Sequence, residues 1–329
     1  MKLSIVIPMY NAGQFIGNCL DSCMNQDLAP SDYEVIIVND GSTDNGVDVA
    51  EGMIESHGWD NVRIVSRVNG GLSEARNTGL DHAEGDFIWF VDADYWIETG
   101  CLGKLVGRLD SQDVLVFGAV DYFQSDGGVQ KGTVFQYPEE TRRSGPEHIS
   151  VMSERLKMCA PFCILKRSFL AEHNLRFVPG LLHEDAEFMP RTINEARVVH
   201  VTPLTPYCRL VRAGSLSRDN NPTRFTALLE VATRLHDYKG SGKVDKCYSA
   251  PFNSIISNVL NQSFKYVVPN KASGYNLKDL KWIKGTFLSS KEFKYKLEGI
   301  LISLFPNKPV EVFSFLSSIR NICGKVLLA

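Results

Sequence analysis

The feature that most constrains this chain is a repeated alternation in its first ninety residues. Short apolar runs cover Leu3 to Ile7, Tyr33 to Val38, Val62 to Val65 and Asp86 to Val91. Helical apolar spacing separates them, through Phe15, Ile16, Cys19, Leu20 and Cys23, then Val47, Ala50, Met53 and Ile54, then Leu72, Ala75 and Leu80. Strands alternating with helices predict right-handed crossovers and a mostly parallel sheet flanked by helices, an α/β fold. The first run is expected to close at Pro8. In such a sheet all the loops that follow the strands lie on one edge, where ligands bind.

Those loops carry Tyr10-Asn11, Asp40-Gly41-Ser42, Asn69-Gly70-Gly71 and Asp92-Ala93-Asp94. Each has a plain structural reading. Asp-Gly-Ser makes a turn, Asn-Gly-Gly enters a helix, and Asp92 and Asp94 end a strand. Their convergence on one edge is the argument for a site: Asp92 and Asp94 leave a hydrophobic strand together and suit a divalent cation.

From Asp113 the pattern changes. Val114 to Val120 reads as one buried strand, and Tyr122-Phe123 and Thr133-Val134-Phe135 flank a turn at Ser125 to Gly128, predicting an antiparallel hairpin. Phe162 to Leu165 precedes a short helix from Ser168. His183-Glu184-Asp185-Ala186-Glu187 has the acidic character of a helix N-terminus, which is also its structural explanation. Tyr207 to Arg218 gathers Arg209, Arg212 and Arg218 with hydroxyls, either as a phosphate clamp or as a solvated basic loop.

Beyond Thr223 the alternation ends and a helical region is expected to the C-terminus, broken at Pro251, Pro269, Pro306 and Pro309. Between Lys271 and Lys296 it carries seven lysines against Asp279 and Glu292, with Leu280, Ile283 and Phe287 on one helix face. Two readings stand: a basic amphipathic segment on an anionic membrane surface, or apolar faces packed on the preceding α/β domain or a second subunit with the lysines in solvent.

Composition bounds the partners. At 329 residues, with 44% hydrophobic and 22% charged, the chain can bury a sizeable core in one or two domains. A net charge of −3 provides no global field for nucleic acid. Eight scattered cysteines and an apolar start too short for a secretory signal predict reduced thiols and an intracellular protein. The i,i+4 pairs Cys19/Cys23 and Cys159/Cys163 read as core residues on helix faces rather than halves of a zinc site. No apolar segment reaches the length of a membrane span.

The motifs Ser4-Ile5-Val6-Ile7-Pro8-Met9-Tyr10-Asn11, Val38-Asn39-Asp40-Gly41-Ser42-Thr43-Asp44, Asn69-Gly70-Gly71-Leu72-Ser73-Glu74-Ala75-Arg76-Asn77-Thr78-Gly79 and Asp92-Ala93-Asp94 have the order and spacing of family 2 glycosyltransferases, which have the GT-A fold. His183-Glu184-Asp185 resembles that family's acidic motif on the acceptor side. The resemblance covers roughly the first 220 residues. It implies a catalytic domain over 1–222, with a helical region over 223–329 for acceptor, membrane-surface or oligomer contacts.

It also implies an inverting transfer from a nucleotide-diphosphate sugar, most often a UDP-sugar, to a hydroxyl of a glycan or polysaccharide, with Mn²⁺ or Mg²⁺. Pro8, Tyr10 and Asp40 match positions that hold base and ribose, and Asn69 and Arg76 match positions near the nucleotide. Asp92 matches the residue near ribose and metal, and Asp94 the metal ligand. Asp185 matches the catalytic base, with Glu184 beside it. Arg212 and Ser215 match, more loosely, contacts to the donor phosphates. Many relatives carry a further aspartate where this chain has Tyr95. The implied setting is the cytoplasm, peripheral at the inner face of the membrane.

A nucleotidyltransferase is expected to show a glycine-rich phosphate loop after the first strand, and Pro8-Met9-Tyr10-Asn11 is not one. A dinucleotide-dependent oxidoreductase lacks its G-x-G-x-x-G. A non-catalytic nucleotide-sugar-binding protein remains the alternative from a different class.

Overall fold

A computed structural model describes residues 1–125, 128–153, 156–211, 223–264 and 280–304. The chain divides into two compact units. One comprises Met1–Gly145, Cys159–Gly180 and Glu195–Arg218, and the other Pro146–Met158, Leu181–Asn194 and Asp219–Ala329.

In the first unit the predicted alternation is present. It runs β1 (Leu3–Met9), α1 (Ile16–Met24), β2 (Tyr33–Asn39), α2 (Gly46–His57), β3 (Val62–Ser66), α3 (Leu72–His82) and β4 (Phe87–Phe90). Every residue of β1, β2 and β4 is buried, which is why these strands read as continuous apolar runs rather than as alternating ones. β1 pairs parallel with both β2 and β4, and β2 with β3.

Strand β1 continues past Pro8 to Met9. Its residues face the two neighbours alternately. The Val6 carbonyl accepts from Val91 N at 2.9 Å on the β4 side, and the Met9 carbonyl accepts from Asp40 N at 2.9 Å on the β2 side. Pro8 faces as Val6 does, so its missing N–H ends the ladder only where β4 itself ends, and pairing with β2 is untouched.

The remaining elements of this unit extend the sheet and add a second one. They are β5 (Trp96–Ile97), α4 (Leu102–Val106), β6 (Val114–Val116), β7 (Ala119–Ser125), β8 (Gly128–Phe135), β9 (Thr141–Arg143), then, after a helix of the other unit, β10 (Cys163–Lys166), a short helix Arg167–Glu172, β11 (Val199–Val201) and β12 (Tyr207–Val211). The large sheet has the order β3-β2-β1-β4-β10-β6-β11-β9, and the small one β5-β12-β7-β8. β10 runs antiparallel to both β4 and β6, so the sheet is mixed rather than simply parallel.

Two expectations change here. Val114 to Val120 is two strands in different sheets, separated at Phe117-Gly118. A β-carbon at Gly118 would lie 2.1 Å from the Phe135 carbonyl oxygen, so only glycine lets the chain cross between sheets at this point. The hairpin is as expected, with β7 and β8 antiparallel. Cys163 lies in a strand and not on a helix face, whereas Cys19 and Cys23 are buried in α1 as predicted. The cysteines are free among the described residues.

The second unit is helical: α5 (Gly145–Met152), α7 (Glu184–Glu195), α8 (Thr223–Tyr238), α9 (Ser249–Phe264), α10 (Leu280–Leu288) and α11 (Phe293–Leu304), with α6 denoting the short helix Arg167–Glu172 of the first unit. α9 is its centre, buried almost throughout by Phe252, Ile255, Ile256, Val259 and Leu260. Its polar groups are satisfied from neighbouring helices: Asn261 Nδ2 donates to Glu298 Oε2 at 2.8 Å, and Lys239 Nζ to Asn253 Oδ1 at 2.6 Å. Pro251 does not break the chain. It sits in the first turn of α9, where its missing N–H has no helical partner to lose, and the interruption falls instead at Lys239–Lys243, where Gly242 is left-handed. Pro269, Pro306 and Pro309 lie outside the described residues.

The helix α3 lies close upon β1. A β-carbon at Gly79 would meet Val6 Cγ1 at 2.2 Å. Gly79→Ala is therefore expected to destabilise the first unit by about 1–3 kcal/mol through overpacking, read as a lower denaturation midpoint in urea.

Candidate active site

The parallel strands bring their predicted residues to one edge of the sheet. The loop after β1 is tied to the loop after β2. Asn11, in the left-handed region at φ 48°, accepts through Oδ1 from Thr43 N at 2.8 Å. Its own N–H donates to Ser42 Oγ at 3.1 Å, and Gly13 N donates to Asp44 Oδ2 at 2.7 Å. Tyr10 stands beside this seam, 56% exposed, with its ring available to a ligand.

Asp40 follows β2 and is buried, yet it is fully engaged. Its carboxylate accepts from Gly70 N at 3.1 Å and Gly71 N at 2.8 Å and is paired with Arg67. Asn69 Nδ2 donates to the Asp40 carbonyl at 2.9 Å. Arg67 also meets Glu74 at 3.0 Å. Arg67 was not among the predicted residues: one arginine after a strand has no spacing signature, and only the fold places it over Asp40.

Arg76, in α3, is buried to 1% exposure. Its Nη2 meets Asp92 Oδ1 at 2.9 Å, and its guanidinium lies over the Phe177 ring, 5.1 Å from the centroid. Asp92 is held from the other side by Tyr207. The Asp92 N–H donates to the phenol oxygen at 3.2 Å, and the phenol donates to Asp92 Oδ2 at 3.5 Å. Burial, with the Asp92 charge, pushes the Tyr207 phenol well above its ordinary range, so it stays protonated and remains a donor. Pairing of β5 with β12 delivers this side chain, since Tyr207 lies opposite Ile97, just past the acidic loop.

Asp94 is half-buried on the same loop. Tyr95, the departure from the usual motif, packs edge-on against Tyr207 with ring centroids 5.9 Å apart. Burial and the charges of Asp94 and Asp92 raise its phenol, so it too is neutral. The aromatic ring thus supports the tyrosine that holds Asp92.

As for the arginine-rich run, Arg209 is paired with Asp121 at 2.6 Å and lies over the Phe162 ring. It is part of the packing of the small sheet. Arg212 and Ser215 lie outside the described residues.

Glu184 and Asp185 belong to the second unit, in the first turn of α7, with Glu184 buried and Asp185 half-buried. Glu187 in the same turn is bound bidentately by Arg191, at 2.7 and 2.8 Å, which gives it a structural role within the helix. The residue ahead of the helix, His183, is left-handed at φ 64° and accepts from Arg224 Nε at 3.2 Å. Burial first, and then the Arg224 charge, lower His183 to about 4.

Against this geometry, comparison with known proteins is informative. The family model "Glycosyl transferase family 2" matches residues 4–173, more than half of the chain. The chain belongs to glycosyl transferase family 2. As a family member it is a glycosyltransferase, a transferase of the EC 2.4 type. It is 30% identical over 253 residues to the uncharacterized glycosyltransferase YibD of Escherichia coli, covering 71% of each chain. It is also 30% identical over 216 residues to the poly(ribitol-phosphate) beta-glucosyltransferase of Bacillus spizizenii, over 64% of this chain but 32% of that enzyme. The S. aureus TarS 1-349 structure in complex with UDP-GlcNAc shares its fold, with a TM-score of 0.69 and 21% identity over 95% of this chain and 89% of that one. That neighbour supports the GT-A architecture.

His183 predicts a pH response. Its proton affinity is lower in the folded protein than in the unfolded chain, so its contribution to stability is complete above about pH 6.5 and is lost as pH falls through about 4. His183→Asn, which tolerates the left-handed backbone, is expected to flatten the fall in thermal midpoint across that interval.

Proposed function

We propose that this glycosyltransferase carries a sugar from a nucleotide-diphosphate sugar, a UDP-sugar in particular, to a hydroxyl of a glycan or polysaccharide, with inversion and with a divalent cation. The observation that carries the reading is the convergence of Pro8, Tyr10, Asp40, Asn69, Arg76, Asp92 and Asp94 on one sheet edge. The UDP-GlcNAc bound by TarS and the poly(ribitol-phosphate) acceptor in the name of the B. spizizenii relative support the donor and acceptor classes.

In this reading Tyr10 offers its ring to the base, and Asp40, held rigid by Arg67 and two backbone N–H groups, takes the base and ribose side. Arg76 and Tyr207 orient Asp92 toward the ribose. The donor set suits Mn²⁺ or Mg²⁺. Two carboxylates on one loop are hard oxygen ligands, and such ions are commonly held by one or two carboxylates with substrate phosphates completing the shell. By the family resemblance Asp94 is assigned as the principal ligand, and Asp92, which accepts from Arg76 and Tyr207, as the second. Among the described residues no group of three or more His, Cys, Asp or Glu could hold a metal ion. When bound, the cation neutralises charge that builds on the departing diphosphate.

Asp185 takes the proton from the acceptor hydroxyl as that oxygen attacks the anomeric carbon from the face opposite the leaving group, with Glu184 beside it; this is how the configuration inverts. Arg212 and Ser215 are assigned to the donor phosphates. Residues 1–222 carry the donor and catalytic groups, and 223–329 the acceptor-side, membrane-surface or oligomer contacts of a cytoplasmic protein peripheral at the inner face of the membrane. Among the described residues no helix is long and apolar enough to cross a bilayer.

Two substitutions separate the roles. Asp185→Asn is expected to lower turnover by about 10²–10⁴-fold while UDP affinity stays normal; near-normal transfer would remove Asp185 from the mechanism. Asp94→Asn is expected to abolish the Mn²⁺-dependent part of UDP binding in calorimetry, and unchanged metal dependence would count against its role as ligand.

A further inference from the structure

The apolar face of α10, which on sequence grounds suited either a membrane surface or packing within the protein, is not the one the structure leaves open. In α10, Ile283 and Phe287 are 3% and 0% exposed, so that face turns into the helical unit. α11 behaves differently. Its inward face is formed by Tyr295, Glu298, Gly299 and Ile302, all buried. On the opposite side Phe293, Leu297, Ile300 and Leu304 recur at i, i+4, i+7 and i+11, exposed by 76%, 42%, 45% and 65%. Four large apolar side chains in one row on solvent form a continuous patch, not scattered surface residues.

The charges around the row have one sign. At about 100° per residue, Lys296 flanks it on one side and Lys294 on the other, and both are exposed. The acids nearby are turned inward. Glu298 is 2% exposed and accepts from Asn261, and Glu292 accepts from Ser153 Oγ at 2.5 Å. Lys281 and Lys284 of α10 are exposed as well. Among the described residues of 280–304, every exposed charged side chain is a lysine.

We infer that the outer face of α11 is a docking surface for an anionic lipid bilayer, with Phe293, Leu297, Ile300 and Leu304 entering the headgroup boundary and Lys294 and Lys296 meeting lipid phosphates. An apolar stripe with a cationic rim on a helix too short to span is the form of an interfacial helix. Charge disfavours the alternatives. A second copy docked face to face would bring lysine rims together, and the following residues 305–329 carry Lys308, Arg320 and Lys325 against Glu311, so they bring no negative complement. The inference sharpens the membrane-surface part of the proposed function and does not depend on the donor-site reading.

The test is flotation of the full chain with phosphatidylcholine vesicles, with and without phosphatidylglycerol. The wild type is expected to float only with the anionic vesicles, and less at high salt. Leu297→Asp combined with Ile300→Asp is expected to reduce binding by at least about tenfold. Lys294→Glu and Lys296→Glu are each expected to reduce it by roughly fivefold or more. Circular dichroism and UDP affinity should match the wild type in all of them, since these side chains are exposed and far from the donor residues in sequence. Absence of wild-type flotation on anionic vesicles would overturn the inference, as would equal flotation of the Leu297→Asp/Ile300→Asp protein. So would a dimer in sedimentation that this double substitution dissociates while the wild type ignores vesicles, because the occupant would then be a second copy. Loss of UDP binding in the wild type would count against the donor site alone.

Discussion

The candidate donor site depends on one ion pair, Arg76 with Asp92. A guanidinium at 1% exposure must be compensated where it lies, and it is compensated by a carboxylate at 2.9 Å and by the face of Phe177. Arg76 comes from α3, whose close contact with β1 at Gly79 fixes how far the side chain reaches. Asp92 comes from the end of β4, and Tyr207 from the small sheet closes the other side. Three elements distant in the chain therefore meet at one carboxylate. Removing the arginine would leave Asp92 without its charge partner at the position where a ribose is proposed to sit, so packing and recognition are tied together.

The same sheet shows why carboxylates at its two edges differ. Glu34 near the start of β2 is buried and bound by Ser4 Oγ at 2.6 Å, Glu84 N at 2.7 Å and Arg63 at 2.9 Å. Asp113 just before β6 accepts from Arg197 N at 2.8 Å. Both are consumed in joining segments of the fold. At the opposite edge the strands end in loops with exposed Tyr10, exposed Asn69 and half-buried Asp94. Parallel strands impose this asymmetry, because all their C-terminal ends open on the same side. Asp40 shows that the distinction is not absolute: it lies at the ligand edge, yet its carboxylate is anchored by two backbone N–H groups and Arg67. What it can offer a ligand is a rigid position rather than a mobile charge.

The helical unit uses polar groups differently. Around α9 the serines and asparagines bond to one another and to inward-turned acids, as in Ser257 with Ser290 at 2.9 Å and Asn261 with Glu298. With those acids drawn inside, the surface of α10 and α11 is left cationic. The interior bonding and the surface charge thus have a common origin in where Glu292 and Glu298 point.

Much was legible in the sequence because it is set by local periodicity. Apolar runs ending in polar, glycine-bearing loops determined the strands of the parallel core and the edge at which Asp40, Asn69, Asp92 and Asp94 gather, and the acids after His183 marked the start of α7. The hairpin of β7 and β8 followed from its turn residues. Only the tertiary structure decided the rest, because it depends on contacts between distant segments: the crossing between sheets at Gly118, the antiparallel β10 inside the large sheet, Arg67 over Asp40, Tyr207 under Asp92, and the inward turn of Ile283 and Phe287 while Phe293, Leu297, Ile300 and Leu304 face out. Spacing along a chain says which residues share a face. Which face is covered, and which buried charge finds its partner, is settled only when burial makes an unpaired charge costly and leaves one face without a neighbour.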